Sequence, residues 1–263
     1  MIRKRHKDSH KGSNGTVLVV AGSTLYTGAP LFASLGAMRA GSDLVYLCAP
    51  RRAADAIACQ TPDLITIPLE GDELKTWHVK KIENYFDKAD VLLIGPGLGE
   101  DKETRKAILQ IIKLFNKPIV IDADALKVVG EKLSILKGKD VVLTPHRKEF
   151  ETISGHVFSE KAVKGLAAAQ NCVVLLKAPT DIISDGKEVQ LNKTGNSGMT
   201  VGGTGDVLAG VVAGFLSQKM TPFESAYYGA KVTGTAGDLA YAEKGYGLIA
   251  SDVLEKVAVA IKK

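Results

Sequence analysis

Paired cysteines, long apolar runs and aromatic side chains are scarce in this chain of 263 residues. None of its three cysteines, Cys48, Cys59 and Cys172, belongs to a CxxC pair, which argues against a disulfide scaffold and a structural zinc site. The longest mostly apolar stretch, Val207 to Leu216, is half of what a membrane span needs. The apolar run Val17 to Ala21 is too short for a signal peptide. We therefore expect a cytoplasmic protein without membrane contact.

The positive charge is concentrated at the N-terminus. The net charge is +5, and the first 15 residues contain Arg3, Lys4, Arg5, Lys7 and Lys11, so the remainder is close to neutral. The body has no basic stripe, and one Trp and seven Phe offer few rings for stacking bases. We predict no nucleic-acid binding, and we expect the basic segment to meet phosphate-bearing small molecules.

Apolar β-branched runs alternate with helical patterns, which predicts a doubly wound α/β sheet. The predicted strands are Thr16–Ala21, Leu44–Cys48, Val91–Ile94, Ile119–Ile121, Val141–Leu143 and Val173–Leu176. The predicted helices between them are Ala29–Arg39, Arg51–Ala58, Val79–Phe86, Lys102–Phe115 and Ser159–Ala169. A hairpin is expected around Asp185-Gly186-Lys187, followed by helices over 205–218, 222–243 and 251–261. Without a linker or repeat, residues 1–263 are predicted to form one domain.

Four glycine-rich elements stand where a strand ends or a helix begins: residues 22–30, 95–99, 195–198 and 202–206. The first two follow strands, at the edge where open α/β sheets bind ligands. The element at 95–99 lacks the GxGxxG spacing and is equally consistent with a plain turn. The sequence contains no GxxxxGK[ST] motif, which excludes a Walker A loop as written.

The fourth element, Gly202-Gly203-Thr204-Gly205-Asp206, leads into a predicted helix. Unpaired N–H groups at a helix start, with glycines before them, can surround a transferring phosphoryl group. Asp206 would lie in the first turn of that helix. It is either a carboxylate favoured by the helix dipole or a base that accepts a hydroxyl proton, and we favour the base.

Polar residues follow three other strands. Asp122 and Asp124 could orient a Mg²⁺-bound water or touch a ribose, although Asp124 could equally cap a helix. Thr144 and Pro145 predict a helix start, which brings His146 to the mouth of the sheet for a ligand contact or a structural role. Lys177 is either a point charge for a diphosphate or a solvated surface lysine.

Together these motifs resemble the ADP/ATP-dependent NAD(P)H-hydrate dehydratases, which have a ribokinase-like fold. The resemblance extends from His10 to Asp252, and its motifs occur in order. They are HKGSNGTVLVVAGS (10–23), YTGAP (26–30), GPGLG (95–99), DADAL (122–126), TPHRKEF (144–150) and NKTGNSGMTVGGTGDVLAG (192–210). The resemblance implies a three-layer α/β fold with a mostly parallel central sheet and helices on both faces.

The resemblance also implies a repair reaction on NADH and NADPH hydrated at C6 of the nicotinamide ring. The C6 hydroxyl is phosphorylated by ADP or ATP with Mg²⁺, and phosphate is then eliminated. Asp206 corresponds to the base and Gly202–Gly205 to the anion hole, with Gly203 and Gly205 beside the base. The implied nucleotide site comprises Lys177, Ala178, Pro179, Thr180, Asp181, Asn196, Ser197, Gly198, Met199, Thr200, Val201, Gly202, Gly203, Thr204 and Gly205. The implied hydrate site comprises Ala29, Gly97, Gly99, His146, Arg147, Glu149, Phe150 and Asp206.

Asp124 corresponds to the family's second carboxylate, and we expect it to assist a water or the metal. Ala178 departs from the family pattern, which usually has glycine after the lysine. Members are often fused to a hydrate epimerase domain; we expect a separate epimerase as a functional partner here. By analogy with stand-alone members, we also expect a homotetramer.

Two other functions fit parts of the sequence. A kinase of the same fold, acting on a thiazole or pyrimidine alcohol, needs the same GGTGD loop and the same base. The segments HKGSNG and TPHRKEF, taken as a pair, favour the dehydratase. A nucleotide sensor is a third possibility, but binding alone needs no base beside the anion hole.

Overall fold

One mixed sheet passes through the part of the chain that the computed structural model describes, residues 5–262. Its strand order is β3-β2-β1-β4-β5-β6-β7-β8-β9. The first seven strands are parallel, and β8 and β9 complete the sheet as an antiparallel hairpin. The strands are β1 (Thr16–Val20), β2 (Leu44–Pro50), β3 (Ile65–Leu69), β4 (Val91–Ile94), β5 (Ile119–Ile121), β6 (Val141–Leu143), β7 (Val173–Leu176), β8 (Asp181–Ser184) and β9 (Val189–Asn192).

Helices cover both faces of this sheet. They are α1 (Gly28–Arg39), α2 (Arg51–Gln60), α3 (Val79–Glu83), α4 (Lys102–Leu114), α5 (Asp124–Gly130), α6 (Arg147–Ser154), α7 (Glu160–Gln170), α8 (Thr204–Ser217), α9 (Pro222–Lys244) and α10 (Ala250–Ala260). Leu92 and Ile94 of β4 pack with α3 to α7, whereas Val91 and Leu93 pack with α1, α2, α8 and α9. The strands are therefore apolar on both faces, which explains their continuous apolar runs. The predicted three-layer fold is confirmed.

The observed elements follow the predicted ones closely, with three differences. Strand β3 was not predicted; its sequence contains Pro68, and it lies at the edge of the sheet, where a missing N–H is tolerated. Helix α5 was also absent from the prediction. Helix α6 begins at Arg147 rather than at Thr144 or Pro145, because His146 is its N-cap. No helix among the described residues could span a membrane by length and apolarity.

The described part of the basic N-terminal segment, residues 5–15, lies at the amino ends of the strands, away from their carboxyl ends. Arg3 and Lys4 lie outside the described residues. Arg5 forms an ion pair with Asp43, whose carboxylate also accepts the Gly12 and Asn14 N–H groups at 3.1 and 2.9 Å. A Cβ on Gly15 would lie 2.4 Å from Ser217 Oγ, so HKGSNG packs tightly against the end of α8. Residues 5–15 therefore do not reach the carboxyl edge, where the expected ligands would bind; they pack against the end of α8.

Candidate active site

The strand order reverses between β1 and β4, and the loops after these strands lie side by side. The Gly22 N–H donates to the Pro96 carbonyl at 2.8 Å. Gly97 has φ +64°, and a Cβ there would lie 3.2 Å from Ala29 Cβ. The structure thus brings together Ala29 and Gly97, two residues predicted for the hydrate site. Their crevice is at the topological switch point, the usual ligand position in such sheets.

The loop after β5 has a strained backbone at Ala123, which lies between two carboxylates, Asp122 and Asp124. Ala123 adopts φ +49° and ψ −125°, a region that costs a non-glycine residue free energy. A Cβ on Gly95 would lie 1.8 Å from the Asp122 carbonyl oxygen, so the neighbouring loop can approach only as glycine. Asp124 is the first residue of α5, and its Oδ2 accepts the Gly99 N–H at 2.9 Å. Gly99 and Asp124 are therefore neighbours.

Helix α8 begins within the fourth glycine element. Gly203 is its N-cap with φ +100°, and a Cβ there would lie 2.8 Å from Ala250 Cβ and 2.9 Å from the Phe32 ring. The Thr204 hydroxyl donates to the Met199 carbonyl at 2.9 Å, which closes the preceding loop. Asp206 lies in the first turn of the helix, as predicted. A substitution at Gly203 would therefore disturb this loop directly, in addition to any effect on a bound anion.

The Asp206 carboxylate is suited to accept a proton near neutral pH. Burial, the charge of Asp122 and, more weakly, that of Asp124 raise its pKa to about 7, while Lys177 opposes the shift. Within residues 5–262, no hydrogen bond engages its side chain, so its oxygens are available to a ligand. A base is most effective when its pKa is near the working pH.

Lys177 is not a solvated surface lysine. Its ammonium group forms an ion pair with Asp122 at 2.8 Å, and the two side chains are 20% and 2% exposed. Burial lowers the pKa of Lys177, but the charges of Asp122 and Glu149 outweigh this, so the pKa remains above its ordinary value. A Cβ on Gly205 would lie 3.4 Å from Lys177 Nζ. A positive charge therefore stands beside the start of α8.

His146 and Glu149 form a capping box at the start of α6. The Glu149 N–H donates to His146 Nδ1 at 3.1 Å, and the His146 N–H donates to Glu149 Oε2 at 2.7 Å. Burial raises the pKa of the Glu149 carboxyl, against the opposing charge of Lys177. The Phe150 side chain is fully buried in the core, and its predicted contact with the hydrate stays a prediction. The apolar packing of Phe150 holds α6 against the sheet.

A cavity of about 890 Å³ opens between α6, α8, α9 and the loops that follow β7 and β9. It is large enough for a nucleotide by the usual range for ligand sites, roughly 300–1,000 Å³. Arg147 and Lys148 contribute positive charge at one side, beside exposed His146. Its lining also includes Lys177, Ala178, Pro179, Asp181, Thr194, Gly195, Asn196, Ser197, Met199, Thr200, Val201, Thr204 and Gly205.

Most residues predicted for the nucleotide therefore line this one cavity. Of that predicted set, Thr180, Gly198, Gly202 and Gly203 are not among the lining residues that the structure describes. Gly198 is buried, and its N–H donates to Asn196 Oδ1 at 2.9 Å. The cavity is also lined by residues that were not predicted for the site: Lys148, Thr194, Gly195, Leu208, Ala230, Thr233 and Gly234. The last three belong to α9, which carries no recognisable ligand motif.

Side-chain hydrogen bonds fix the cavity walls. Asp181 Oδ1 accepts the Ala178 N–H at 3.0 Å, and Asp181 Oδ2 accepts from Asn192 Nδ2 at 2.9 Å. The Asp181 side chain thus fixes the loop over 178–181 by hydrogen bonds and does not point away from it as a free carboxylate. The departure at Ala178 causes no backbone strain, since its φ is not positive. Asn196 Nδ2 donates to Asp238 Oδ1 at 2.9 Å, which fixes the other wall.

Comparisons with known proteins point in one direction. The profile of a family described as NAD(P)H-hydrate dehydratase matches residues 17–258. The chain is 38% identical to the ADP-dependent (S)-NAD(P)H-hydrate dehydratase of Cenarchaeum symbiosum over 99% of this chain and 93% of that protein. It is 43% identical to a bifunctional NAD(P)H-hydrate repair enzyme of Hyperthermus butylicus, over 99% of this chain and 51% of that protein. This chain therefore spans about half the length of that relative.

A solved structure has the same architecture. The ADP/ATP-dependent NAD(P)H-hydrate dehydratase of Bacillus subtilis, co-crystallised with ATP and Mg²⁺, superposes with a TM-score of 0.83 at 27% identity. The alignment covers 98% of this chain and 93% of the other.

Proposed function

Because the chain belongs to the NAD(P)H-hydrate dehydratase family, we propose that it dehydrates the C6-hydroxylated forms of NADH and NADPH at the expense of ADP or ATP. The observation that carries this proposal is Asp206, a carboxylate without a hydrogen bond among the described residues, whose pKa is raised to about 7 at the start of α8. Relatives named as dehydratases favour this activity over the kinase alternative.

The chemistry has two steps. In the first, Asp206 accepts the proton of the C6 hydroxyl while the hydroxyl oxygen attacks the terminal phosphorus of the nucleotide, and AMP or ADP leaves. In the second, the lone pair of the ring nitrogen expels phosphate from C6, and the adjacent ring carbon loses a proton. A poor leaving group, hydroxide, has thus been replaced by a good one, and the product is NADH or NADPH.

The described residues suit this division of roles. We propose that the nucleotide occupies the large cavity, with its terminal phosphate at Gly205 and the start of α8. The dipole and unpaired N–H groups of the helix start would stabilise the charge on the transferred group. Ala29, Gly97 and Gly99 border the crevice at the switch point, which would bring the hydrate to Asp206 from the opposite side.

Mg²⁺ would screen the charge of the phosphate oxygens when bound. Within residues 5–262, no group of three or more His, Cys, Asp and Glu side chains is arranged to hold a metal ion. The two Asp124 oxygens already accept from the Gly99 N–H and the Lys127 ammonium group. We propose that Mg²⁺ arrives with the nucleotide, whose phosphates supply most of its ligands.

Other parts of the proposal extend beyond the site. We infer that residues 1–263 act as one domain, which the single nine-stranded sheet supports. The bifunctional names of several relatives support a functional link to an epimerase. The homotetramer and the cytoplasmic location stay predictions.

The direct test is to mix the purified protein with NADH hydrate, Mg²⁺ and either ADP or ATP, and to follow the reduced-nicotinamide absorbance band. We expect a rise, and the nucleotide that supports it identifies the phosphoryl donor. A flat trace with both nucleotides, from protein shown to bind nucleotide, would contradict the dehydratase. Thiazole and pyrimidine alcohols should then be assayed as kinase substrates.

The raised pKa of Asp206 predicts a pH dependence. A base must be unprotonated, so kcat/KM for the hydrate should rise with pH and level off above about 7, the free-enzyme pKa of Asp206. Below that midpoint we expect a loss of about tenfold per pH unit. The measurement is a pH profile of kcat/KM, with circular dichroism at each pH to exclude unfolding. A flat profile from acid to neutral pH would contradict Asp206 as the base.

A further inference from the structure

Asp122 is the least exposed carboxylate of the site. The roles predicted for Asp122 from the sequence did not include a contact with Lys177. Its side chain is only 2% exposed, so it cannot reach a substrate in the crevice or the cavity. Yet its Oδ1 accepts from Lys177 Nζ at 2.8 Å and from the Thr144 hydroxyl at 2.7 Å. Asp122 therefore acts without touching a substrate: it holds Lys177 and Thr144, and its charge raises the pKa of Asp206.

The position of the Lys177 ammonium group needs an explanation. It lies beside the start of α8, where the helix dipole presents partial positive charge. An ammonium group is disfavoured there, and its burial adds a desolvation cost. The ion pair with Asp122 offsets both effects. Without it, the flexible lysine side chain would be free to turn towards the open part of the cavity, which Lys177 also lines.

Asp122 itself is held rigidly. It directly follows β5, between the close-packed Gly95 loop and Thr144, which is fully buried. The strained Ala123 follows it and turns the chain into α5. A rigid carboxylate can fix the ammonium group of a long side chain to within the tolerance that phosphoryl transfer requires.

We propose that Asp122 is a positioning residue for phosphoryl transfer, whose ion pair holds the Lys177 ammonium group beside Gly205 and Asp206 at the start of α8. This rests on the proposed function. In that position, the charge of Lys177 acts on the phosphoryl group as it moves from the nucleotide to the hydroxyl. Lys177 then contributes more to the transition state than to binding of the nucleotide before transfer.

The test is a double-mutant cycle of Asp122→Asn and Lys177→Met in the hydrate assay. Asparagine keeps the size of the side chain and an acceptor for Thr144, but it removes the charge. We expect Asp122→Asn to lower kcat about 30-fold and to change the nucleotide KM less than about threefold. In the Lys177→Met background, the same substitution should change kcat less than about threefold, because the two residues act as one unit.

Ser42→Ala is the matched control. It removes a buried hydrogen bond to Ser217 of 3.0 Å, outside the proposed site, so it should reduce thermal stability and leave kcat within about twofold. If Asp122→Asn lowered kcat in the Lys177→Met background as much as it does in the wild-type background, the proposal would be overturned. A rise in nucleotide KM at unchanged kcat would overturn it as well. An inactive wild-type protein would instead reject the proposed function, which keeps the two failures distinct.

Discussion

Replacing Asp206 with asparagine is expected to lower kcat by at least a hundredfold, the usual effect of removing a general base. Asparagine has nearly the same shape but cannot accept the hydroxyl proton. Nucleotide binding should persist, because the cavity lining does not include the Asp206 side chain. The measurements are single-turnover kinetics with NADH hydrate and a nucleotide-binding isotherm for the same variant. Near-normal turnover would contradict the assigned role.

The same variant should be more stable than the wild type at neutral pH. The pKa of Asp206 is raised in the folded protein from 3.8 to about 7, so the unfolded chain gives up this proton more readily. The carboxylate therefore costs stability as pH rises from about 4 to 7, and the cost is full above about 7. The shift sets an upper limit of about 4 kcal/mol, and partial exposure reduces the expected gain of Asp206→Asn to about 2 kcal/mol.

A stability gain together with an activity loss is a sign of a functional residue rather than a packing residue. Asp43→Asn is the matched control, since Asp43 holds the Gly12 and Asn14 N–H groups at the opposite edge of the sheet. That variant should lose stability and keep its turnover. Denaturant titrations at pH 4.5 and pH 7.5 in the absence of nucleotide measure both effects; the gain at Asp206 should shrink at the lower pH. An equal gain at both values would contradict the ionisation argument.

Much of the fold was predictable because the strands are local apolar runs and the sheet is parallel. Each of the six predicted strands corresponds to an observed one, and the three final helices begin within one residue of their predicted starts. Strand β3 was missed because Pro68 is normally a signal against a strand, and only its edge position makes it acceptable. Helix α5 is short and follows its strand after two residues, so its own pattern is weak.

The candidate site was predictable where glycine spacing determines the local geometry, as at Gly203–Asp206, where a helix begins and carries Asp206 in its first turn. It was not predictable where burial decides between alternatives. From the sequence, Lys177 could be a surface lysine or a phosphate ligand. The fold brings Asp122 and Glu149 near its ammonium group, which excludes the solvated surface lysine. The same limit applies to Phe150: a helical motif does not reveal which of its residues face the core.

The close crossing of α1 and α8 gives the second large expected effect. A Cβ on Gly210 would lie 2.1 Å from the Ala33 carbonyl oxygen, and one on Gly36 would lie 2.7 Å from the Val207 carbonyl oxygen. These contacts involve the backbone of both helices, so an added Cβ can be accommodated only if one helix moves as a whole. Because α8 carries Asp206 at its start and α1 carries Ala29, this crossing also determines the position of the proposed base relative to Ala29.

Gly210→Ala should therefore lower the free energy of unfolding by about 3 kcal/mol or more, as overpacking at backbone does. Variant protein that remains folded should also lose kcat, since α8 must shift along its axis or away from α1. Gly165→Ala on α7 is the matched control: no atom lies within 4 Å of its Cβ position, and its φ is not positive. Alanine should stabilise that helix by about 0.5–1 kcal/mol. Equal unfolding free energies for the two variants in denaturant titrations would contradict the packing argument, because only the contact with α1 distinguishes one helical glycine from the other.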